Sequence, residues 1–366
     1  ILGSRGLVAQ RYLQRLVNHD WFNPVSIIGS SSTVGMNIRD LPWYLDEKRP
    51  QLPDISVLGL NDLDTLVVEL KEKNIAVIFS ALPDSIASEV EKPLAERGFC
   101  VISHALIHRL KCEVPLVIPD INSDHLKILE SQNFGTGLLI SCSNCMVVPI
   151  ALTLYPLMAE NDFSSVKIIT EQSLSGGGRK MLERGRSGLD IASSIPGESE
   201  SIISELNRIL GEKNEGIFQE ANLDMKVWCS RASHDFGHLA TVEIIFSNEI
   251  SAHEIIEAWQ NFSSETFDSR LPSSSQTINF VDGKLDPIKH RWGDSVTALP
   301  DKNLSAGMPV SVGEIEVSGN KLKFKLLSDN TIRGAAGYGV LLAELLLAEE
   351  IIQEKNLIDM SFNRRN

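Results

Sequence analysis

The stretch Ser141-Cys142-Ser143-Asn144-Cys145-Met146-Val147-Val148-Pro149 sets two thiols between one apolar run and the next. Gly137-Leu138-Leu139-Ile140 enters it and reads as a buried strand; the apolar run that leaves it has helical character. The small polar residues between mark a strand-to-helix turn, with Ser143 or Asn144 as the expected N-cap. That reading puts Cys145 in the first turn of a helix, where unpaired N–H groups and the helix dipole favour a thiolate. A thiolate is nucleophilic, so Cys145 is the candidate for covalent catalysis and the thiol expected to be alkylated before the other cysteines. The competing reading is a small buried residue, which cysteine often is. Cys142 falls nearer the strand end and is expected to face the core. The pair also forms a CxxC, but without the flanking features of a thioredoxin-like site.

The elements around this turn alternate. Ile1-Leu2 reads as the end of a buried strand, so the sequence opens inside a motif and the strand is expected to begin before Ile1. Gly3-Ser4-Arg5-Gly6-Leu7-Val8-Ala9 follows as G-x-x-G-x-x-A. Gly3 allows a tight turn, Gly6 lets the backbone approach a pyrophosphate, and Ala9 lets the next helix, Leu7 to Val17, pack close to the sheet. The strand Val25–Ile28 ends in Gly29-Ser30-Ser31-Ser32-Thr33 rather than in an acidic residue. Hydroxyls in place of a carboxylate point to the 2′-phosphate of NADP, the alternative being a plain polar loop. Strands at 75–79 and 100–103, with a helix to Arg97 between them, extend the alternation of a doubly wound parallel sheet.

Beyond Cys145 the pattern changes. Strands at 166–170, 226–229, 239–246, 310–317 and 322–327 predict a largely antiparallel α+β unit. Helices at 200–210 and 255–262 belong to it, as does a glycine-rich loop over 173–178. Gly334 to Glu354 reads as one long buried helix. The expected fold is α/β: a Rossmann-type sheet over 1–145, an α+β unit over 146–328 and a C-terminal helix over 329–366, the second made a catalytic and dimerisation unit and the third returned to the nucleotide-binding unit only by the family resemblance that follows. A hydrophobic fraction of 43% over 366 residues suits two such cores. A net charge of -14 argues against nucleic acid or an anionic membrane as partners. Five cysteines in an odd, scattered set suggest a reducing, cytoplasmic setting without structural disulfides, and no metal site is implied.

Taken together, the motifs resemble the aspartate-β-semialdehyde dehydrogenase family, in its archaeal and fungal branch. The resemblance rests on Gly3 to Gln10, Phe79-Ser80-Ala81-Leu82-Pro83, Pro115 to Pro119, Ser143-Asn144-Cys145, Gln172 to Gly176, Gly237-His238 and Asn330 to Ala336. It implies that Cys145 is the nucleophile of a thioester mechanism, His238 the general acid/base and Gln172 the residue orienting substrate. It implies that Arg231 clamps the substrate carboxylate, Arg109 binds phosphate and Glu198 reads the substrate amino group. NADP would be held by Gly3, Ser4, Arg5, Gly6, Leu7, Val8, Ser30, Ser31, Ser32, Thr33, Ser80 and Leu82, with Ser175, Gly176 and Asn330 at the nicotinamide end. A homodimer or homotetramer is implied as well. Departures from the family pattern stand at His104, where Asn is usual, at Ser201, where Lys is expected, and at Ser32, Thr33, Met36 and Arg5 in the phosphate loops. They keep open an acyl-CoA reductase such as a malonyl-CoA reductase, and an inactive nucleotide-binding paralogue.

Overall fold

The computed structural model describes residues 1–353 apart from 61, 160, 215–216 and 295–298. Its first sheet is parallel. Leu2 bridges Ile28 on one side and Ser80 on the other. It thereby joins β1 (Ile28–Gly29) and its partner β2 (Leu58–Gly59) to β3 (Val77–Ser80), β4 (Cys100–Ser103) and β5 (Leu138–Ser141). Successive strand residues point to opposite faces. Ile78, Val101 and Leu139 pack with Leu66 and Leu70 of α2 (Leu63–Glu72) and Val90 and Leu94 of α3 (Asp84–Glu96). Their neighbours Phe79, Ile102 and Ile140 pack in the cluster that holds Tyr12, Leu13 and Leu16 of α1 (Leu7–Leu16). Both faces are covered, which is what lets a parallel sheet be apolar along its length.

The second sheet contains β6 (Phe163–Gln172), β9 (Met225–Arg231), β10 (His238–Phe246), β11 (Ile278–Phe280), β13 (Val310–Ser318) and β14 (Lys321–Ser328), in the order β11-β13-β14-β10-β6-β9. Between them β7 (Glu212–Asn214) and β8 (Ile217–Gln219) pair as a separate hairpin, and β12 is Arg291–Asp294. The sheet is largely antiparallel, as expected, through β10–β14, β10–β6 and β13–β14, while β6 with β9 and β11 with β13 run parallel. Along β10, His238, Ala240, Val242, Ile244 and Phe246 are buried and the residues between them are partly exposed. The buried side meets α4 (Val147–Met158) and α7 (Ala252–Asn261), whose Trp259 ring lies 4.8 Å from Phe324.

Three further segments differ from the sequence reading. The glycine-rich stretch is not a loop: Leu174–Gly177 forms a 3₁₀ turn that leads into α5 (Gly178–Arg186). Gly178, at φ 76°, supplies the left-handed kink between them. α6 (Glu198–Ile209) begins two residues before its expected start. α8 (Glu265–Asp268) is a single turn. At the C-terminal end a π-helical turn, Ile332–Ala336, precedes α9 (Gly337–Ala348), which stops short of Glu354. Residues 354–366 lie outside the described residues. Among the described residues no helix is long and apolar enough to cross a membrane.

Candidate active site

Strand register assembles the site. β6 and β9 run side by side and end together, with Gln172 opposite Arg231. β10 runs the other way and starts at the same edge, where His238 pairs with Ser328, the last residue of β14. Asp329 and Asn330 follow directly. Four strand ends thus converge, and the turn after β5 brings Cys145 to them. Its Sγ lies 3.2 Å from Nε2 of His238.

That turn corrects the expected cap. α4 starts at Val147, and Met146 takes the cap position. Cys145 therefore precedes the helix rather than sitting in its first turn. Asn144 still works locally, its Oδ1 accepting from the Met146 N–H at 2.7 Å. The π turn packs against the cysteine: a Cβ at Gly334 would stand 2.8 Å from Cys145 Cβ and 2.9 Å from its carbonyl oxygen. Only glycine permits that approach. The i to i+5 bonds from Gly334 N to Asp329 O and from Ala336 N to Thr331 O, both 3.0 Å, widen the backbone there. Gly334 was visible in the sequence only as part of a motif.

Electrostatics also corrects the sequence. Burial, and then Glu198, push the Cys145 thiol up to about 12, against the pull of Arg109 and Arg231. The resting group is a thiol, because loss of water outweighs a helix end that begins two residues later. Burial, then Arg231 and His234, push the His238 imidazolium down to about 3. The backbone N–H of Ser173 donates to His238 Nδ1 at 3.0 Å, which leaves the ring proton of the neutral imidazole on Nε2, facing the sulfur. Gly176 is needed beside this ring, since a Cβ there would come within 2.7 Å of His238 Cε1 and 2.9 Å of Arg231 Nη1.

The other expected residues fall into two groups. Gln172 and Glu198 bond to each other beside the cysteine turn: Gln172 Nε2 donates to Glu198 Oε1 at 3.1 Å, and Asn144 Nδ2 donates to the same oxygen at 2.8 Å. Arg231 donates from Nη1 to the Ser173 carbonyl at 3.0 Å, and among the described residues no carboxylate forms an ion pair with it. Arg109 is committed differently, to Glu205 at 3.0 Å and to the His104 carbonyl at 2.9 Å. Asn330 is occupied within the protein: its Oδ1 accepts from Gly237 N at 3.0 Å and from the hydroxyls of Ser173 and Ser175 at 3.2 Å each. His104, the residue unlike the family pattern, bonds through Nε2 to the Tyr12 hydroxyl at 2.7 Å. The sequence reading missed Glu205 and Asp329.

The dinucleotide residues gather at the carboxyl ends of β1 and β3. Gly3 has φ 111°, and a Cβ at Gly6 would meet nothing within 4 Å, so the turn presents bare backbone to open space. α1 has no side-chain cap and no acidic residue in its first turn, which suits a pyrophosphate at Leu7 and Val8. Arg5 Nη2 donates to Ser32 Oγ at 2.8 Å, and Ser30 Oγ lies 2.9 Å from Ser32 Oγ. Ser31 is exposed beside them. Buried Ser4 and Thr33 pair through their hydroxyls at 3.0 Å and fix one loop against the other. Ser80 Oγ is buried without a partner among the described residues, at the end of β3 next to Leu82. One cation, several hydroxyls and a free helix end fit a phosphorylated dinucleotide. A cavity of about 610 Å³ at the other end of the strands, lined by Leu16, Trp21, Phe22 and Leu70, contains none of these residues.

A parallel nucleotide-binding sheet that delivers a thiol to an imidazole defines a dinucleotide-dependent oxidoreductase. The family of the semialdehyde dehydrogenase NAD-binding domain matches residues 1–129. An aspartate-semialdehyde dehydrogenase of Archaeoglobus fulgidus is 32% identical over 96% of this chain and 98% of its own length. A malonyl CoA reductase (NADP) of Metallosphaera sedula is 27% identical over 97% of this chain and 98% of its own. The crystal structure of the Candida albicans aspartate-semialdehyde dehydrogenase with NADP superposes with a TM-score of 0.79 at 28% identity, over 96% of this chain and 98% of that one. The chain belongs to the aspartate-semialdehyde dehydrogenase family.

Proposed function

We propose that the chain is an NADP-dependent aspartate-semialdehyde dehydrogenase that interconverts L-4-aspartyl phosphate and L-aspartate 4-semialdehyde through a thioester on Cys145. The observation that carries this is the 3.2 Å approach of Cys145 Sγ to His238 Nε2, with Arg231 beside it and no carboxylate on that arginine among the described residues. In the reductive direction the sulfur attacks the acyl carbon, the acyl C–O bond to phosphate breaks, and the thiol proton leaves with the departing phosphate. As the carbonyl oxygen takes up negative charge, the Nε2–H of His238 donates to it. The Arg231 fork holds the substrate carboxylate, Glu198 faces its ammonium group, and Gln172 orients the acyl group between them. NADPH, held by the Gly3–Val8 turn, the Ser30–Thr33 loop and Ser80, supplies the hydride when bound. The thioester is thereby reduced to a thiohemiacetal, which releases the aldehyde and returns the thiol to Cys145.

We assign residues 1–145 to the dinucleotide, 146–328 to catalysis and dimerisation, and 329–366, of which 354–366 lie outside the described residues, to the return onto the first unit, in a cytoplasmic homodimer or homotetramer. Phosphate is the acyl partner of this reading, with Arg109 as its cation. An acyl-CoA reductase is the second reading. It is favoured by the pairing of Arg109 with Glu205, which leaves that arginine partly neutralised, and by Ser201 in place of a lysine. A panel assay separates the two: aspartate semialdehyde with phosphate, and malonyl-CoA, each with NADP(H) and NAD(H). Turnover of aspartate semialdehyde that requires phosphate and NADP supports the first. Turnover of malonyl-CoA alone sinks it.

A further inference from the structure

We propose that Glu205 is a positioning residue that holds the Cys145 turn and the Arg109 guanidinium in one fixed arrangement. The proposal rests on the reading of Cys145 as the nucleophile. Glu205 is fully buried, and its carboxylate collects four hydrogen bonds from three separate stretches of chain. Oε2 accepts from Ser143 Oγ at 2.7 Å and from Asn144 N at 2.8 Å. Oε1 accepts from Arg109 Nη1 at 3.0 Å and from Ser201 Oγ at 2.7 Å. Ser143 and Asn144 are the two residues immediately before the cysteine.

Helical spacing explains the arrangement. Glu198 and Glu205 are seven residues apart on α6 and so lie on one face, two turns apart. Both reach the same residue: Asn144 donates its backbone N–H to Glu205 and its side-chain amide to Glu198. α6 thus grips the cysteine turn at two points, one inside the substrate site and one behind it. A carboxylate is required at the rear point. Asn144 N–H on one oxygen and Arg109 Nη1 on the other can only donate. A glutamine at 205 would therefore aim its amide nitrogen at a donor whichever way it turned.

The charge matters separately. The charged and titratable groups around the Cys145 thiol are Glu198, Arg109, Arg231 and His238, and of these Arg109 is balanced by Glu205. Removing the Glu205 charge unbalances Arg109, and a cation left beside a thiol favours the thiolate. Misplacing the turn, by contrast, slows reaction with bound substrate, where small displacements of the reacting atom cost up to about a hundredfold.

Glu205→Gln separates the two effects. The expected result is a fall in kcat of about tenfold to a hundredfold, a Kd for NADPH within about twofold of wild type, and faster alkylation of Cys145 by iodoacetamide at pH 8. A residue needed only for stability would lower alkylation, cofactor binding and turnover together with the folded fraction. If Glu205→Gln does not fold, Ser143→Ala removes a single hydroxyl from the same contact. It should lower kcat about tenfold, the lower end of the worth of one charge-assisted hydrogen bond. Wild-type kcat and alkylation in whichever variant folds overturn the proposal. Cys145→Ser is the control for the reading beneath it. Retained turnover there removes the nucleophile assignment itself, whereas a dead Cys145→Ser beside a fully active Glu205→Gln removes only the role of Glu205.

Discussion

At the dinucleotide edge the contacts are short in sequence and open to water: Arg5 reaches Ser32 over a separation of 27 residues, on the surface. At the thiol centre they are long and drier: Cys145, itself partly exposed, meets the buried His238 over 93 residues, and Ser173 meets Asn330 over 157 in the interior. The first region is made of loops that present backbone N–H groups and exposed hydroxyls, so its side chains can vary. The second depends on the register of four strands and the rear grip of α6, so each side chain there has several partners to satisfy. Substitutions should be costly and specific at the centre, and mild and graded at the edge.

Asp329→Asn is the strongest test of the first half of that statement. Asp329 is fully buried and accepts from Thr331 N at 2.9 Å, Thr331 Oγ1 at 2.7 Å, Ile332 N at 3.0 Å and Trp292 Nε1 at 3.0 Å, and it pairs with Arg291 at 3.2 Å. Burial alone would raise its carboxyl. Arg11, Arg291 and the bonds from Thr331 and Trp292 overcome burial and hold the group well below its ordinary 3.8. A depressed acid stabilises the fold above its unfolded pKa and loses that contribution as pH falls through the folded one. Wild-type stability should therefore decline on acidification below about pH 4, more steeply than that of Asp329→Asn. At pH 7 the variant should lose about 3–5 kcal/mol, the cost of breaking a buried ion pair. Urea unfolding at pH 7 and pH 3 measures both, and equal stability at pH 7 would remove Asp329 as the anchor of the Asn330 loop.

The two regions were not equally legible in the sequence. The strand ends around Gly3 and Ser30 were readable because glycines, hydroxyls and an apolar run stand next to one another. Cys145 was readable as a turn residue for the same reason, but its protonation was not. The dipole argument counts the helix end and omits the burial imposed by the π turn and the strands of the second sheet. The exposed thiol is that of Cys112, so Cys112 rather than Cys145 should react first with iodoacetamide in the resting protein. Glu205 was hidden by its surroundings. On an amphipathic helix with five other glutamates and serines it reads as a solvated charge, and its partner Ser143 is 62 residues away. Asn330 and Ser175 were readable as motif members, but their bonds to each other and to Ser173 depend on a register that no local pattern reveals.

Arg231→Ala tests the centre on function rather than stability. Its counterpart Arg109 already has a carboxylate, whereas among the described residues Arg231 has none, so its fork is the one ready for a substrate anion. The variant should raise KM for the aldehyde and lower kcat/KM by roughly 30- to 1,000-fold, equivalent to about 2–4 kcal/mol for a lost charge-assisted pair in a desolvated site. Initial-rate kinetics at saturating NADP measure it. An unchanged KM with a lowered kcat would move Arg231 from substrate binding to support of His238 and the Ser173 carbonyl.

Arg5→Ala probes the edge, where the expected effect is smallest. Arg5 is only partly buried and its bond to Ser32 is exposed, so solvent screens whatever charge it meets. An exposed charge pair contributes up to about 1 kcal/mol, which corresponds to about a fivefold rise in KM for NADPH. The KM for NADH should stay the same, because without a 2′-phosphate the guanidinium has no anion to meet at that loop. Thermal stability should not change, since the hydroxyl pair of Ser4 and Thr33 holds the two loops together independently of Arg5. The ratio of the two KM values is the informative quantity. A parallel rise for both cofactors would place Arg5 at the pyrophosphate, which they share. A loss beyond a hundredfold would show the edge to be as tightly determined as the thiol centre, and the contrast drawn between the two regions would fail.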